Sequence, residues 1–195
     1  MRTMATARRI GTESSKTRAE LLDVTERLMR EGGYAAVSSR NVAKEAGVTP
    51  ALIHYYFPTL DDLFLAVFRR GAEKNLERHA RALTSPQPLR ALWEFSREPA
   101  GTALLSEFMA LSNHRKTIRR EIAEYAERFR QQEADLLAPR LEEYGIDPDE
   151  VPPVAILVLM STVSRGIVME DTLGQTTGHA ETLDLVERLL QRFEG

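Results

Sequence analysis

The sequence predicts an all-α protein, with a small three-helix unit near the N-terminus and a larger helical bundle after it. Along most of its 195 residues, apolar side chains recur at spacings of three, four or seven, which is the period of an amphipathic helix. No alternating apolar and polar run is long enough for a half-buried strand. Glycine, proline and hydroxyl residues interrupt the pattern where helix caps are needed.

Residues 1–14 are polar, small and basic, and we expect them to form a flexible basic arm. The three-helix domain is expected over residues 15–60, with helix boundaries at residues that suit caps and stops. These are Gly32 and Gly33 after a first helix over 16–31, Ser38 or Ser39 before a short second helix, Gly47 after it, Thr49 and Pro50 at the start of the third, and Pro58 beyond its end.

The rest of the chain, residues 61–195, is expected to form one helical domain. Thr59 caps its first long helix, and Asp62 supplies a carboxylate to the first turn. The segment 84–88, with two prolines, ends that helix. The remaining predicted elements are helices over 89–97, 102–113, 115–144, 152–171 and 180–193, with a turn over 98–101 and a kink at Pro139.

Composition and charge limit the class of protein. The chain has no cysteine and a net charge of −3, so neither a disulfide framework nor a cysteine-based site is expected. Residues 1–58 hold 9 Lys/Arg and 6 Asp/Glu, whereas the remainder is acidic; a basic head suits contact with a polyanion. No apolar stretch, including 151–163, is expected to span a membrane, and no secretory signal is expected. We therefore expect a cytoplasmic protein.

The three-helix unit has the pattern of a helix-turn-helix, in which two short helices are joined by a tight turn. Small residues, Ala43 and Ala46, allow the two short helices to cross closely, and Gly47 supplies the turn. In such a unit the second short helix lies in the major groove of DNA, with its N-terminal residues nearest the base edges. The outward residues of that helix are expected to be Pro50, Leu52, His54, Tyr55 and Tyr56.

The run over 34–58, YAAVSSRNVAKEAGVTPALIHYYFP, resembles the DNA-binding signature of the TetR/AcrR family of bacterial transcriptional regulators. The preceding helix ending at Gly33 and the following Asp61-Asp62-Leu63 fit the same pattern, so the resemblance covers about residues 16–66. It implies an all-α homodimer whose C-terminal helical bundle binds an effector and forms the dimer. The remaining sequence points to no particular effector.

The resemblance also implies roles for single residues. Arg40, with Ser39 beside it, stands where family members contact a base or phosphate, and arginine is the commonest reader of guanine. Thr49, Pro50, Leu52 and His54 fall on the groove-facing side, whereas Tyr55 and Tyr56 match an aromatic pair that rests on phosphate and sugar. Two positions depart from the pattern. Leu60 replaces a phosphate-contacting lysine, and Pro50 replaces a polar base contact and could meet a thymine methyl.

Other readings of these residues stay open. Tyr55, Tyr56 and Phe57 could be core aromatics. Arg40 could be a solvated charge, and His54 a residue without a contact. The four histidines lack metal-ligand spacing, and the paired carboxylates at Asp61 and Asp62 suit a helix start better than acid/base chemistry. Phosphate loops and catalytic triads are absent from the sequence. We therefore expect no metal, no cofactor and no enzymatic activity.

The bundle contains large, adaptable apolar side chains that could line a pocket or could be ordinary core. The candidate pocket residues are Trp93, Phe108, Met109, Tyr125, Phe129, Met160 and Arg165. Arg165 could meet an anionic group of a ligand, or it could pair with Glu107, Glu170 or Asp171.

The last two predicted helices carry more apolar surface than one chain can cover, so two copies are expected to pack them into a four-helix interface. A dimer would present two recognition helices to a palindromic operator. The sequence therefore indicates a ligand-responsive DNA-binding regulator, a repressor released from double-stranded DNA by a small apolar effector. A transcriptional activator and a ligand-independent DNA-binding protein remain alternatives.

Overall fold

The computed structural model describes residues 16–195, and the expected basic arm over 1–14 lies outside the described residues. The described range folds into α-helices and one 3₁₀ turn, without a strand, which confirms the all-α prediction. The helices are α1 (Lys16–Gly32), α2 (Ser39–Glu45), α3 (Pro50–Tyr56), α4 (Leu60–Leu83), α5 (Pro88–Ser96), α6 (Pro99–Ser112), α7 (Lys116–Glu143), α8 (Pro153–Thr172) and α9 (His179–Glu194), and the 3₁₀ turn is Tyr34–Ala36.

The caps predicted for the first helices are confirmed. Ser38 is the N-cap of α2, and its Oγ accepts a hydrogen bond from the Asn41 amide at 3.1 Å. Thr59 and Asp62 form a reciprocal capping box at the start of α4: the Thr59 amide donates to Asp62 Oδ2 at 2.9 Å and the Asp62 amide to Thr59 Oγ1 at 3.1 Å. These bonds satisfy amides that a helix leaves without intrahelical partners.

The turn predicted over 98–101 is wrong, because α6 begins at Pro99, three residues earlier than expected. Proline in the first turn of a helix costs no hydrogen bond, since the amide of that position has no intrahelical acceptor. The early start places Ala100 and Gly101, which line the cavity described below, on the first turn of α6. Helix α7 continues through Pro139 to Glu143.

Two hydrophobic cores lie one after the other along the molecule. The first joins α1–α4 to α6 and the N-terminal part of α7, and includes Leu21, Ile53, Phe64, Phe108 and Ile118. A second core joins the end of α4 to α5, the C-terminal part of α7, α8 and α9. Because α4 and α7 contribute to both cores, they connect the helix-turn-helix head to the rest of the bundle.

Helix α8 differs from the sequence expectation about membranes. It is long and apolar enough to cross a bilayer by length and composition, although the core helix of a soluble protein passes the same test. The sequence prediction discounted 151–163 for its prolines and hydroxyls. Pro152 and Pro153 instead begin the helix, and Ser164 Oγ donates to the Met160 carbonyl one turn back at 2.6 Å. The interruptions therefore do not shorten the apolar segment.

Candidate DNA-binding surface and effector cavity

The crossing of α2 and α3 is fixed by a small core beneath them. Val42, Ala43 and Ile53 are almost fully buried. Gly47 has a φ of 66°, which glycine adopts without a Cβ penalty, and the Val48 amide then donates to the Ala43 carbonyl at 2.9 Å. This geometry turns α3 sharply away from α2 and leaves its outer face in solvent.

The eight predicted DNA-contacting residues lie together on the outer side of α2 and α3 and the turn between them. Arg40, Thr49, Pro50, His54 and Tyr55 are exposed, and the other three are partly exposed, namely Ser39, Leu52 and Tyr56. Tyr55 and Tyr56 meet edge to face, with ring centroids 5.2 Å apart. Within residues 16–195, Arg40 forms no ion pair, so its guanidinium is available to another molecule.

Phe57 and Leu60 belong to the structural part of this unit. The Phe57 ring is buried, as its core reading predicts, and the guanidinium of Arg18 lies 5.2 Å from its centroid. Leu60, which replaces the phosphate-contacting lysine of the family pattern, packs against the first core. This position therefore contributes to the core.

A cavity of about 420 Å³ lies among α4, α5, α6, α7 and α8. Of the seven candidate pocket residues, the structure brings five together in its wall: Phe108, Tyr125, Phe129, Met160 and Arg165. Trp93 does not line it, because its side chain is buried in the second core. Met109 is also outside the wall, and 55% of this residue is exposed.

Aromatic rings form most of one wall. Tyr125 and Phe129 stack with centroids 5.5 Å apart, and Phe68 meets the Tyr125 ring edge at 5.4 Å. The His79 ring lies edge-on between Phe95, at 4.1 Å, and Phe129, at 4.7 Å. Contacts of this geometry are favourable and hold the rings in fixed orientations, so the wall is largely formed before any ligand enters.

Several polar groups interrupt this apolar wall. His79 Nδ1 pairs with the buried carboxylate of Glu133, and the Tyr125 hydroxyl donates to the Ala72 carbonyl at 2.8 Å. Burial, aided by the charge of Glu133, raises the pKa of Tyr125 to about 12, so this phenol stays neutral at physiological pH. Arg165 donates to Ser161 Oγ at 3.2 Å.

None of the three partners considered for Arg165 pairs with it. Glu107 instead accepts a hydrogen bond from the Tyr34 amide at 2.7 Å, while Glu170 and Asp171 bind the His179 ring at 2.8 Å and 3.0 Å. Arg165 and Arg130 both belong to the lining of the cavity.

Other lining residues were not among the seven candidates, and those with aromatic or charged side chains include Phe68, His79, Arg130 and Glu133. Their spacing carried a usable signal. On α4, residues 68, 72, 75 and 79 lie on one stripe, and on α7 residues 122, 126, 129, 130 and 133 lie on another. Polar members of such stripes are easily taken as solvent-facing unless the neighbouring helix is known.

The cavity and the head share helix α6. Leu104 and Phe108 line the cavity and pack on the first core as well. Next to them, Glu107 binds the Tyr34 amide just after α1. On α4, Arg70 binds Asp23 at 2.6 Å and Glu26 at 2.8 Å, both on α1. Helices α4 and α6 therefore contact both the cavity and the head.

Within residues 16–195, no group of three or more side chains is positioned to hold a metal ion.

Comparison with known proteins finds relatives of the head. Residues 21–67 match the family model for bacterial regulatory proteins, tetR family. Over 61 residues the chain is 43% identical to the HTH-type transcriptional regulator BetI of Brucella anthropi, a match that covers 31% of each protein. Over 90 residues it is 35% identical to the HTH-type transcriptional regulator AcrR of Shigella flexneri, covering 45% of this chain and 42% of that protein. The matches thus span less than half the length of these relatives.

Several solved structures share the fold of this protein over most of the chain. A Saccharomonospora viridis protein described as a transcriptional regulator, solved in complex with choline, has a TM-score of 0.71 at 22% identity, covering 84% of this chain and 89% of that one. The multidrug binding protein EbrR, complexed with proflavin, has a TM-score of 0.56 at 26% identity, covering 90% and 99%. The N-terminal head is thus similar to that of bacterial regulatory proteins of the tetR family, and the all-α fold is shared with these solved structures.

Proposed function

We propose that the protein is a cytoplasmic, ligand-responsive transcriptional regulator, a repressor that leaves a palindromic operator when a small, mostly apolar effector enters its cavity. The observation that carries this proposal is the direct connection, through α4 and α6, between an exposed helix-turn-helix face and an aromatic-walled cavity. The cavity also favours a ligand-responsive protein over a ligand-independent one, since a filled bundle would leave no room for an effector.

DNA reading is assigned to the outer face of α2 and α3. With α3 in the major groove, its N-terminal residues Thr49 and Pro50 would face base edges, and Arg40 could bind guanine O6 and N7 in bidentate fashion. Tyr55 and Tyr56 would contact phosphate and sugar, which positions the helix without specifying sequence. The exposure of these side chains supports the assignment, because groove contacts require free polar and apolar groups.

A homodimer is assigned to α8 and α9. Both helices expose large apolar side chains at helical spacing, including Val154, Val158 and Leu159 on α8 and Leu185 and Leu189 on α9. Leu159 alone is 64% exposed. Two copies that pack these faces together would bury them in a four-helix interface. The same apolar face accounts for the membrane-like composition of α8.

Release from DNA is assigned to movement of α4 and α6. A ligand that shifts Phe108 or Phe68 must also shift the first core, on which the orientation of α3 depends. In a dimer the two half-sites lie about 34 Å apart per helical turn of DNA, so a displacement of a few ångströms prevents both heads from docking together. The choline and proflavin bound by two structural neighbours support the idea that this fold can hold a small molecule.

Selection from a random duplex library tests the DNA-binding part of the proposal. The full-length protein should enrich an inverted repeat, and its affinity should fall steeply with salt because phosphate contacts release counterions. A matched control is the variant in which Arg40 and Tyr55 are both replaced by alanine; both side chains are exposed, so the fold should persist. Failure of the parent protein to enrich any motif at moderate salt would refute the assignment.

A further inference from the structure

The charges around the cavity do not balance. Its lining holds five Lys/Arg side chains against three carboxylates. Glu26 binds Arg30 and Arg70, Glu98 binds Arg78, and Glu133 is in contact with the His79 ring. Two lining arginines remain, Arg130 on α7 and Arg165 on α8. Within residues 16–195, neither has a carboxylate within ion-pair distance. The cavity therefore carries an excess of positive charge.

The two arginines act on each other across the cavity lining. Burial, together with repulsion from Arg130, lowers the pKa of Arg165, and the charge of Glu133 only partly opposes this. The Arg165 side chain is half-buried, and its one hydrogen bond in the described range is to the neutral hydroxyl of Ser161. A partly buried charge raises the free energy of the folded protein unless an opposite charge pairs with it. An anion between the two guanidiniums would supply that pairing.

We propose that the cavity binds a small amphipathic carboxylate, with its head group between Arg130 and Arg165 and its apolar body against the aromatic wall of Tyr125 and Phe129. The inference rests on the proposed function only in treating this molecule as the effector. Guanidinium matches carboxylate geometry through two parallel hydrogen bonds. A cavity of about 420 Å³ suits a compact ligand, and its apolar lining suits an aromatic or acyl body.

A cationic ligand is the main competitor, because aromatic rings can bind ammonium groups through their faces. The structure favours an anion on two counts. The carboxylate of Glu133, which would attract a cation, is buried against the His79 ring, and the lining as a whole holds more Lys/Arg side chains than carboxylates. A cation would also enter a cavity that holds two arginines without anionic partners, and like charges at close range repel.

Matched probes test the inference by direct calorimetric titration of the full-length protein, without DNA. Two sets of three probes are used, and within each set only the head group changes. The first set is decanoate, decanol and decyltrimethylammonium. The second is naphthalene-2-carboxylate, naphthalene-2-methanol and naphthalene-2-methylammonium. At least one carboxylate should bind ten-fold or more tightly than its neutral and cationic partners. Arg130→Gln and Arg165→Gln should each reduce that preference about ten-fold, and the double variant should abolish it. Arg128→Gln, an exposed arginine on α7 outside the lining, should leave it unchanged.

Three results would overturn the inference: equal or tighter binding of the cations, no preference among the head groups, or a carboxylate preference that survives both arginine substitutions. Light scattering of Arg165→Gln supplies a further check. Conversion of this variant to a monomer would assign Arg165 to the subunit interface and reject its ligand role. Operator selection is independent of these titrations, so a failure here leaves the DNA-binding proposal testable on its own.

Discussion

Glu107 makes the contact whose removal tests how α6 is joined to the head. Its Oε2 accepts the Tyr34 amide at 2.7 Å, directly after the turn at Gly33. A β-carbon built on Gly33 would lie 3.1 Å from the same oxygen, so the carboxylate sits tightly against this turn. Replacement of Glu107 by alanine leaves the Tyr34 amide without its partner, while the neighbouring core residues stay in place.

The expected magnitude follows from the type of bond. A hydrogen bond to a charged group contributes about 1.5–3 kcal/mol, and an orphaned, partly buried amide costs about 1–3 kcal/mol. Because Glu107 is only half-buried, we expect Glu107→Ala to lower the free energy of unfolding by about 2 kcal/mol. Glu107→Gln keeps a neutral acceptor, and neutral hydrogen bonds are roughly half as strong, so it should cost about 1 kcal/mol.

Urea denaturation and amide hydrogen exchange measure the two effects. The unfolding free energies should follow the order parent, Gln variant, Ala variant, and the Tyr34 amide should exchange faster in the same order. Glu127→Ala, an exposed change on α7, is the matched control and should alter neither quantity. If Glu107→Ala costs no more than Glu127→Ala, the contact does not hold the head to α6, and the transmission route assigned to α6 fails.

Three further predictions follow from the same structure. Arg40→Ala should lower operator affinity by about 1–3 kcal/mol and relax specificity at one base pair of each half-site. If a competition assay shows that binding to every single-base operator variant is weakened equally, Arg40 positions the protein on DNA and does not read a base. Leu159→Lys should yield monomers by light scattering, whereas Leu136→Lys, an exposed α7 leucine, should not; a dimeric Leu159 variant would reject the α8 interface. The pKa of His179 is raised, chiefly by its hydrogen bond with Glu170. The stabilising contribution of His179 is therefore full below about pH 6.5 and is lost as pH rises through the higher folded-state pKa. If stability depends on pH in the same way in His179→Gln as in the parent protein, this prediction is wrong.

The head could be predicted from sequence because its signals are local. Ser38, Gly47 and Thr59 each fix a helix end within a few residues, and the structure places the caps and the turn where these residues indicate. The start of α6 was missed since Pro99 suits both a turn and the first turn of a helix. Only packing of the following residues against α1 decides between them.

The cavity could be predicted only in part. Large apolar residues on the bundle helices identify candidates, yet Trp93 and Phe108 look alike in sequence although one enters the second core and the other the cavity wall. The His79–Glu133 pair joins α4 to α7 across 54 positions, and no spacing rule connects residues so far apart. Charge balance within a cavity is a property of the assembled helices, and the Arg130–Arg165 pair therefore emerges only from the structure.

Reciprocal titration tests the central claim most directly, namely that one molecule links a ligand cavity to a DNA-reading head. The affinity of a molecule shown to occupy the cavity is measured with and without saturating operator duplex taken from the library selection. Linkage requires DNA to weaken ligand binding by the same factor by which ligand weakens DNA binding, typically about 5- to 150-fold. We predict equal factors in that range. Identical ligand affinities with and without operator would contradict the account.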